Sequence, residues 1–243
     1  MLKFCSVIAF SVVLLYAASA YAASNTEART QEYKTRYAVE CLNDKIVNNR
    51  GDGYENLYGC RNVRTVLFGA VYRGGANNYY HKTNKRDNHN PLPPDGLKHL
   101  ANEGFSSAVY LYKKNFDTAD TIVISDSGTD TLRYFQNDLS NEKKLYAVLK
   151  LVRDVLEDPD KGPIYVHCWN GWHQSGYLSA IILRQFCNFS AEEAVSYWLK
   201  NTDGVKIDNE RIMNKIRNFV PFEDLIPSDE KRTEICPTCK EKQ

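Results

Sequence analysis

The stretch Val166-His167-Cys168-Trp169-Asn170-Gly171-Trp172-His173-Gln174-Ser175-Gly176 decides the reading of this chain. It follows a short apolar run, Pro163-Ile164-Tyr165-Val166, and precedes a helix-like run, Tyr177-Leu178-Ser179-Ala180-Ile181-Ile182-Leu183. The order is strand, tight loop with Cys168 at its mouth, then helix. Such a loop turns backbone N–H groups inward, and the helix behind it adds the positive end of its dipole, so together they form an anion pocket. A thiol at the base of that pocket ionises more readily, because thiolate charge is stabilised there. A thiolate facing a bound phosphate is a nucleophile aimed at phosphorus.

The loop resembles the signature of the cysteine-dependent tyrosine and dual-specificity phosphatases, which is His-Cys, five residues, Arg, then Ser or Thr, often followed by Gly. His167, Cys168, Gly171, Ser175 and Gly176 fall in register, and the position of the Arg holds Gln174. In the family that Arg grips two phosphate oxygens and stabilises the transition state. Gln offers one amide N–H₂ and no charge, against five donors in a charged fork. The resemblance implies an α/β fold, a central twisted, mostly parallel sheet flanked by helices. It also implies Cys168 as nucleophile, the loop amides with Gln174 as oxyanion binders, and Ser175 easing departure from a phosphocysteine. Trp169, Asn170, Trp172 and His173 complete the loop. The two Trp are either core packing or an apolar wall for a substrate carrying a ring or acyl chain. His173 is a candidate cation near or below pH 6.5.

Upstream, Val66 to Tyr72 is strand-like and Arg73-Gly74-Gly75 ends it, similar to the opening of the atypical dual-specificity branch. Arg73 either pairs with a carboxylate or faces the pocket. Pro94 to Leu100 starts a short helix with Gly104 as its stop, and Phe105 to Tyr112 is a second strand. Ile122–Ser125 and Thr131–Phe135 are further strands, with Ser127-Gly128 as the turn between them. Asp138 follows the second of these. Related enzymes carry a general-acid Asp in about this place, which protonates the leaving oxygen. The alternative is that Asp138, or Ser140, caps the next helix; Asp126 and Asp130 are weaker acid candidates. That helix is marked by Leu145, Val148, Leu149, Val152, Val155 and Leu156, recurring at three- and four-residue steps. Downstream, Ser190-Ala191-Glu192-Glu193 is a capping box. Asp208 is expected to cap a helix through Ile212, Ile216 and Phe219, which Pro221 stops.

The first 22 residues read as a secretory signal, with Lys3, an apolar core from Val7 to Ala18, and Ala20-Tyr21-Ala22 as an A-x-A cleavage site. The apolar run is short for a span, which takes ~20 residues. The mature chain is therefore expected to be periplasmic or secreted, without a stable membrane anchor. In an oxidising compartment disulfides are expected. Of the seven Cys, Cys5 leaves with the signal. Cys41 and Cys60 flank a Gly-, Asn- and Tyr-rich loop and are placed to close it. Cys236-Pro237-Thr238-Cys239 reads as a local disulfide, and Cys187 as a buried thiol. Cys168 then has no disulfide partner, as a nucleophile requires.

With 31 basic and 30 acidic residues, charge gives no support for nucleic-acid binding. His81 and His89 stand in a polar loop without a carboxylate or Cys cluster, so no metal is expected, and no cofactor either. The domain organisation expected is a signal peptide over 1–22, an N-terminal extension over 23–60, a phosphatase-like domain over 61–221 and a charged tail over 222–243. The leading function is a cysteine-dependent phosphatase-like enzyme acting on a phosphorylated small molecule, lipid or protein. The alternatives are a pseudophosphatase that binds a phosphorylated ligand, or a Cys-dependent enzyme whose substrate is not a phosphate monoester.

Overall fold

A computed structural model describes residues 27–78, 80, 91–158, 160–203 and 210–237. The proposed signal peptide, His81, His89, the proposed cap Asp208 and Cys239 lie outside the described residues.

Six strands form one sheet: β1 (Cys60–Leu67), β2 (Val71–Ala76), β3 (Ser107–Tyr110), β4 (Ile122–Ile124), β5 (Thr131–Gln136) and β6 (Ile164–Cys168). Their spatial order is β1-β2-β6-β3-β5-β4. The four inner strands run parallel, and β1 and β4 pair antiparallel at the edges. The fold is thus the α/β class expected, a mostly parallel sheet with helices on both faces.

β6 lies inside the sheet, and its residues alternate between two cores. Ile164 and Val166 enter the core with α3 (Glu142–Glu157), α4 (Gln174–Phe186), α5 (Ala191–Lys200) and α6 (Glu210–Arg217). Tyr165 enters the other, with a helix over 27–37 (α1) and α2 (Pro94–Asn102). Tyr33 and Tyr37 of α1 meet Tyr72 there, at ring separations of 5.9 and 5.3 Å. Arg29 of α1 donates to the carbonyls of Val155 (2.9 Å) and Asp158 (3.1 Å), capping the C-terminal end of α3.

Several expectations are corrected. The strand from Val66 to Tyr72 is two strands, because the chain turns at Phe68-Gly69-Ala70 and Gly69 takes φ +65°. Neither Asp138 nor Ser140 caps α3. Asn141 does, its side chain accepting from the Lys144 amide at 2.9 Å. The capping box at Ser190 and Glu193 forms in full.

The cysteine pairings also differ. Cys60 is a free, buried thiol and does not pair with Cys41, which is itself disulfide-bonded. Cys236 pairs with Cys187 (Cα–Cα 5.7 Å), not with Cys239. Local spacing suggested the shorter loops, but α7 (Asp229–Ile235) folds back and brings Cys236 to the C-terminal end of α4. The tail is therefore packed structure in part, with Ile235 fully buried. Among the described residues no helix is long and apolar enough to cross a membrane.

Candidate active site

Cys168 is the last residue of β6, at the C-terminal edge of the parallel strands, where open α/β sheets place their ligands. α4 begins at Gln174, so residues 169–173 form the connecting loop. The Cys168 Sγ lies 3.4 Å from the Ser175 Oγ in the first turn of α4. Ser175 is in turn fixed by Ser179, whose hydroxyl donates to the Ser175 carbonyl at 2.7 Å.

The loop is held by its carbonyls. Asn62 Nδ2 donates to the Asn170 carbonyl at 2.7 Å. The Arg73 guanidinium donates to the Gly171 carbonyl, and Trp198 Nε1 to the His173 carbonyl at 3.3 Å. A Cβ at Gly75 would collide with the Trp169 carbonyl, so only glycine lets the loop lie on β2 there. Gly171 takes φ +79°, which lets the chain reverse at mid-loop. In a trans peptide the C=O and the following N–H point opposite ways. The N–H groups that follow those carbonyls, of Gly171, Trp172 and Gln174, meet no backbone acceptor among the described residues. Contacts from β1, β2 and α5 thus fix the path of the loop beside Cys168.

Arg73 is fully buried on β2, one strand from Cys168. It buttresses the loop, with Nη1 3.3 Å from the Tyr197 hydroxyl and Nη2 3.5 Å from the Asn201 carbonyl. It has no carboxylate partner among the described residues, contrary to one of the two readings of its role. Gly176, also buried, packs against Trp198 and Arg73.

His167 points to the opposite face and is fully buried. Its ring stacks among Tyr110, Tyr134 and Tyr165, at centroid separations of 5.3, 5.6 and 5.7 Å. The Tyr134 oxygen accepts the Leu92 amide at 3.0 Å and stands 2.9 Å from His167 Nε2. Nδ1 is 3.1 Å from the Cys168 carbonyl, an acceptor, so the proton sits on Nδ1 and Tyr134 donates to Nε2. Burial lowers the His167 pKa to about 4. It orients the Cys168 backbone as a neutral ring.

The remaining loop residues are half-buried. Trp172 Nε1 donates to Asp203 Oδ2 at 3.1 Å. Trp169 Nε1 is buried without an acceptor. Burial lowers the His173 pKa from its ordinary value, which disfavours the cationic form expected of it. The Gln174 side chain makes no hydrogen bond among the described residues.

Asp138 lies just past β5. Its carboxylate accepts Lys144 Nζ at 2.8 Å and the Ser140 amide at 3.0 Å. Lys144 holds its pKa down at about 2. A general acid must carry its proton into the reaction, and this carboxyl is held ionised. Asp126 is tied to Lys98 and Asn102, and Asp130 accepts from Thr129, all at the β4–β5 hairpin. A cleft of about 680 Å³ between α3 and α6 is bordered by no residue of 168–175. Among the described residues no group of three or more His, Cys, Asp or Glu is placed to hold a metal.

Asn62, Trp198, Arg61 and Asp203 escaped the sequence reading. Nothing in the sequence signals them: β1 reads Cys-Arg-Asn-Val-Arg-Thr-Val-Leu, with polar residues scattered through the strand.

No family model matches the chain, and no curated protein does. Among solved structures it is similar to the core catalytic domain of the PP-IP phosphatase SIW14 from S. cerevisiae. That match is 15% identical, covers 66% of this chain and 86% of that one, and has a TM-score of 0.44. Tk-PTP in its active form is 12% identical over 65% of this chain and 98% of its own, with a TM-score of 0.44. TpbA of P. aeruginosa is 15% identical over 71% and 89%, with a TM-score of 0.40. The architecture above rests on this chain's own strands and helices, and these likenesses add no chemistry to it.

Proposed function

We propose that this chain is a secreted or periplasmic cysteine-dependent phosphatase acting on a phosphate ester. The observation that carries the reading is the Cys168 Sγ at the end of β6, 3.4 Å from the Ser175 Oγ, beside a loop whose Asn170 and Gly171 carbonyls are held by Asn62 and Arg73, which leaves the following amides available to an anion. In the first step the thiolate attacks phosphorus in line, the S–P bond forms, and the ester P–O bond breaks. In the second, water attacks the phosphocysteine, the S–P bond breaks, and Ser175 donates to the departing thiolate. With Asp138 held ionised by Lys144, the first step favours leaving groups that depart as weakly basic oxyanions, such as phenolates. The apolar run with an A-x-A site at the N-terminus and the Cys187–Cys236 disulfide support an oxidising compartment.

Gln174 without charge, neutral His167 and the tied Asp138 favour a second reading, a module that binds a phosphorylated ligand without turning it over. The assay is aryl phosphate hydrolysis by the mature chain, with Cys168→Ser as control and acid-quench mass spectrometry for phosphocysteine. Turnover lost in Cys168→Ser, with trapped adduct in the wild type, supports the enzyme. Phosphate binding without adduct or turnover supports the module. A Cys168-dependent activity that releases no phosphate moves the assignment to a non-phosphate substrate.

A further inference from the structure

β1, β2 and β6 set Arg61, Gly75 and Cys168 in one row: Arg61 pairs with Gly75, and Gly75 with Cys168. Residues opposite one another on paired strands face the same side of the sheet. Arg64 pairs with Arg73 on that same side. Three guanidiniums therefore lie behind the loop wall, with Arg61, Arg64 and Arg73 only 4%, 2% and 0% exposed.

Two of them have their partners. Arg73 holds the Gly171 carbonyl, and Arg64 pairs with Asp203 at 3.1 Å, a carboxylate already shared with Lys45 at 2.6 Å. Arg61 is different. Its Nη2 donates to the Asn49 side-chain oxygen at 2.5 Å and the Tyr80 ring lies 5.3 Å from the guanidinium carbon, while its Nε, like those of Arg64 and Arg73, has no acceptor. No carboxylate pairs with it among the described residues. Among the described residues Asp203 is the one carboxylate paired with any of the three, so this side of the loop carries buried positive charge in excess there. Holding a buried cation without a counter-ion is costly. Burial lowers the Arg61 pKa from its ordinary value, while Tyr80, Asp203 and Cys168 act the other way, so a charge at Cys168 is felt at Arg61.

We propose that Arg61 is the counter-charge for a dianion held over Cys168, so that the positive charge Gln174 does not bring to the loop comes from β1 through the loop wall. The ligand this selects is a phosphate monoester carrying two charges, not an uncharged acyl or thioester group. The proposal rests on the reading of the loop as a phosphate cradle and deepens it by naming what selects for charge. Arg61 touches no reacting atom and acts as a positioning residue through its field.

The test uses the mature chain and inorganic phosphate, with calorimetry for affinity and melting temperature for stability. Arg61→Met is expected to weaken phosphate binding about tenfold or more. That is the Coulomb effect of removing one charge ~10 Å away at an effective dielectric of about 20. The loss should be larger at pH 8, where phosphate is a dianion, than at pH 5.5. Without phosphate, the variant should melt no lower than wild type, because a buried uncompensated charge has gone. Arg61→Lys keeps the charge and should retain most of the affinity. Wild-type affinity in a folded Arg61→Met overturns the proposal. So does an Arg61→Met chain that melts markedly lower or fails to fold, since Arg61 would then be structural. A folded wild type that binds no phosphate at all removes the cradle itself, and with it the proposed function, whatever Arg61 does.

Discussion

Arg73 donates its guanidinium to the carbonyl of Gly171, from the strand that runs beside the one carrying Cys168. A buried side chain on β2 thereby sets the direction of peptides in the loop after β6. Arg73→Met should free the Gly171 carbonyl and leave the Asn201 and Tyr197 oxygens without that donor. The expected cost is about 2 kcal/mol or more in a urea titration, the typical cost of stranding buried acceptors. Phosphate affinity should fall with it, since the amides would no longer be aimed. A variant with wild-type stability and affinity would show that the loop holds its shape without this contact.

His167 makes stability depend on pH. Its folded pKa of about 4 lies below the ordinary value of 6.5, so between those values the unfolded chain binds the proton and the folded chain does not. Stability is then fully present above pH 6.5 and falls as pH drops toward 4. The full effect is roughly 3 kcal/mol, from about 1.36 kcal/mol per unit. Urea midpoints at pH 7 and pH 4.5 should draw together in His167→Gln. An unchanged gap would place the acid sensitivity elsewhere.

Asp138 is bound to Lys144 and ionised through the working pH range. Asp138→Asn should therefore leave the dependence of rate on leaving-group basicity unchanged across a series of aryl phosphates. A loss of rate that grows with leaving-group basicity would restore Asp138 as the proton donor.

Much of the fold and part of the site were legible in the chain. Order and type of the elements followed from period-two and period-3.6 patterns, as in α3, and from local punctuation, as in the Ser190 capping box. Cys168 was placed correctly because strand, loop and helix are contiguous around it. What failed depends on distant pairing. Neither Asn62 nor Trp198 lies near the loop in sequence, and the bonds from each to a loop carbonyl span 108 and 25 positions. Spacing alone also misassigned the cysteines, since Cys187 and Cys236 are 49 positions apart. The hairpin at Gly69 was hidden because apolar residues continue through the turn.

Gln174→Arg tests whether the loop lacks only a charged donor. An Arg there offers two parallel charged N–H groups to phosphate oxygens where Gln offers one neutral amide. Phosphate affinity should rise, and aryl phosphate turnover should increase by about tenfold or more. No gain in either, with the fold intact, would mean that Trp169 and Trp172 have shaped the loop against an arginine at 174.

The two sulfur chemistries of this chain make opposite demands on its surroundings. As the proposed nucleophile, Cys168 works only as a thiol, while Cys187 and Cys236 hold α7 to the far end of α4 only as a disulfide. A reductant added to keep the first alive acts on the second, and releases α7 from the helix whose first turn carries Ser175. Activity measured against reductant concentration should therefore pass through a maximum. In an oxidising milieu the molecule depends on the shelter of Cys168, which is only 7% exposed, to keep one sulfur reduced while others stay joined.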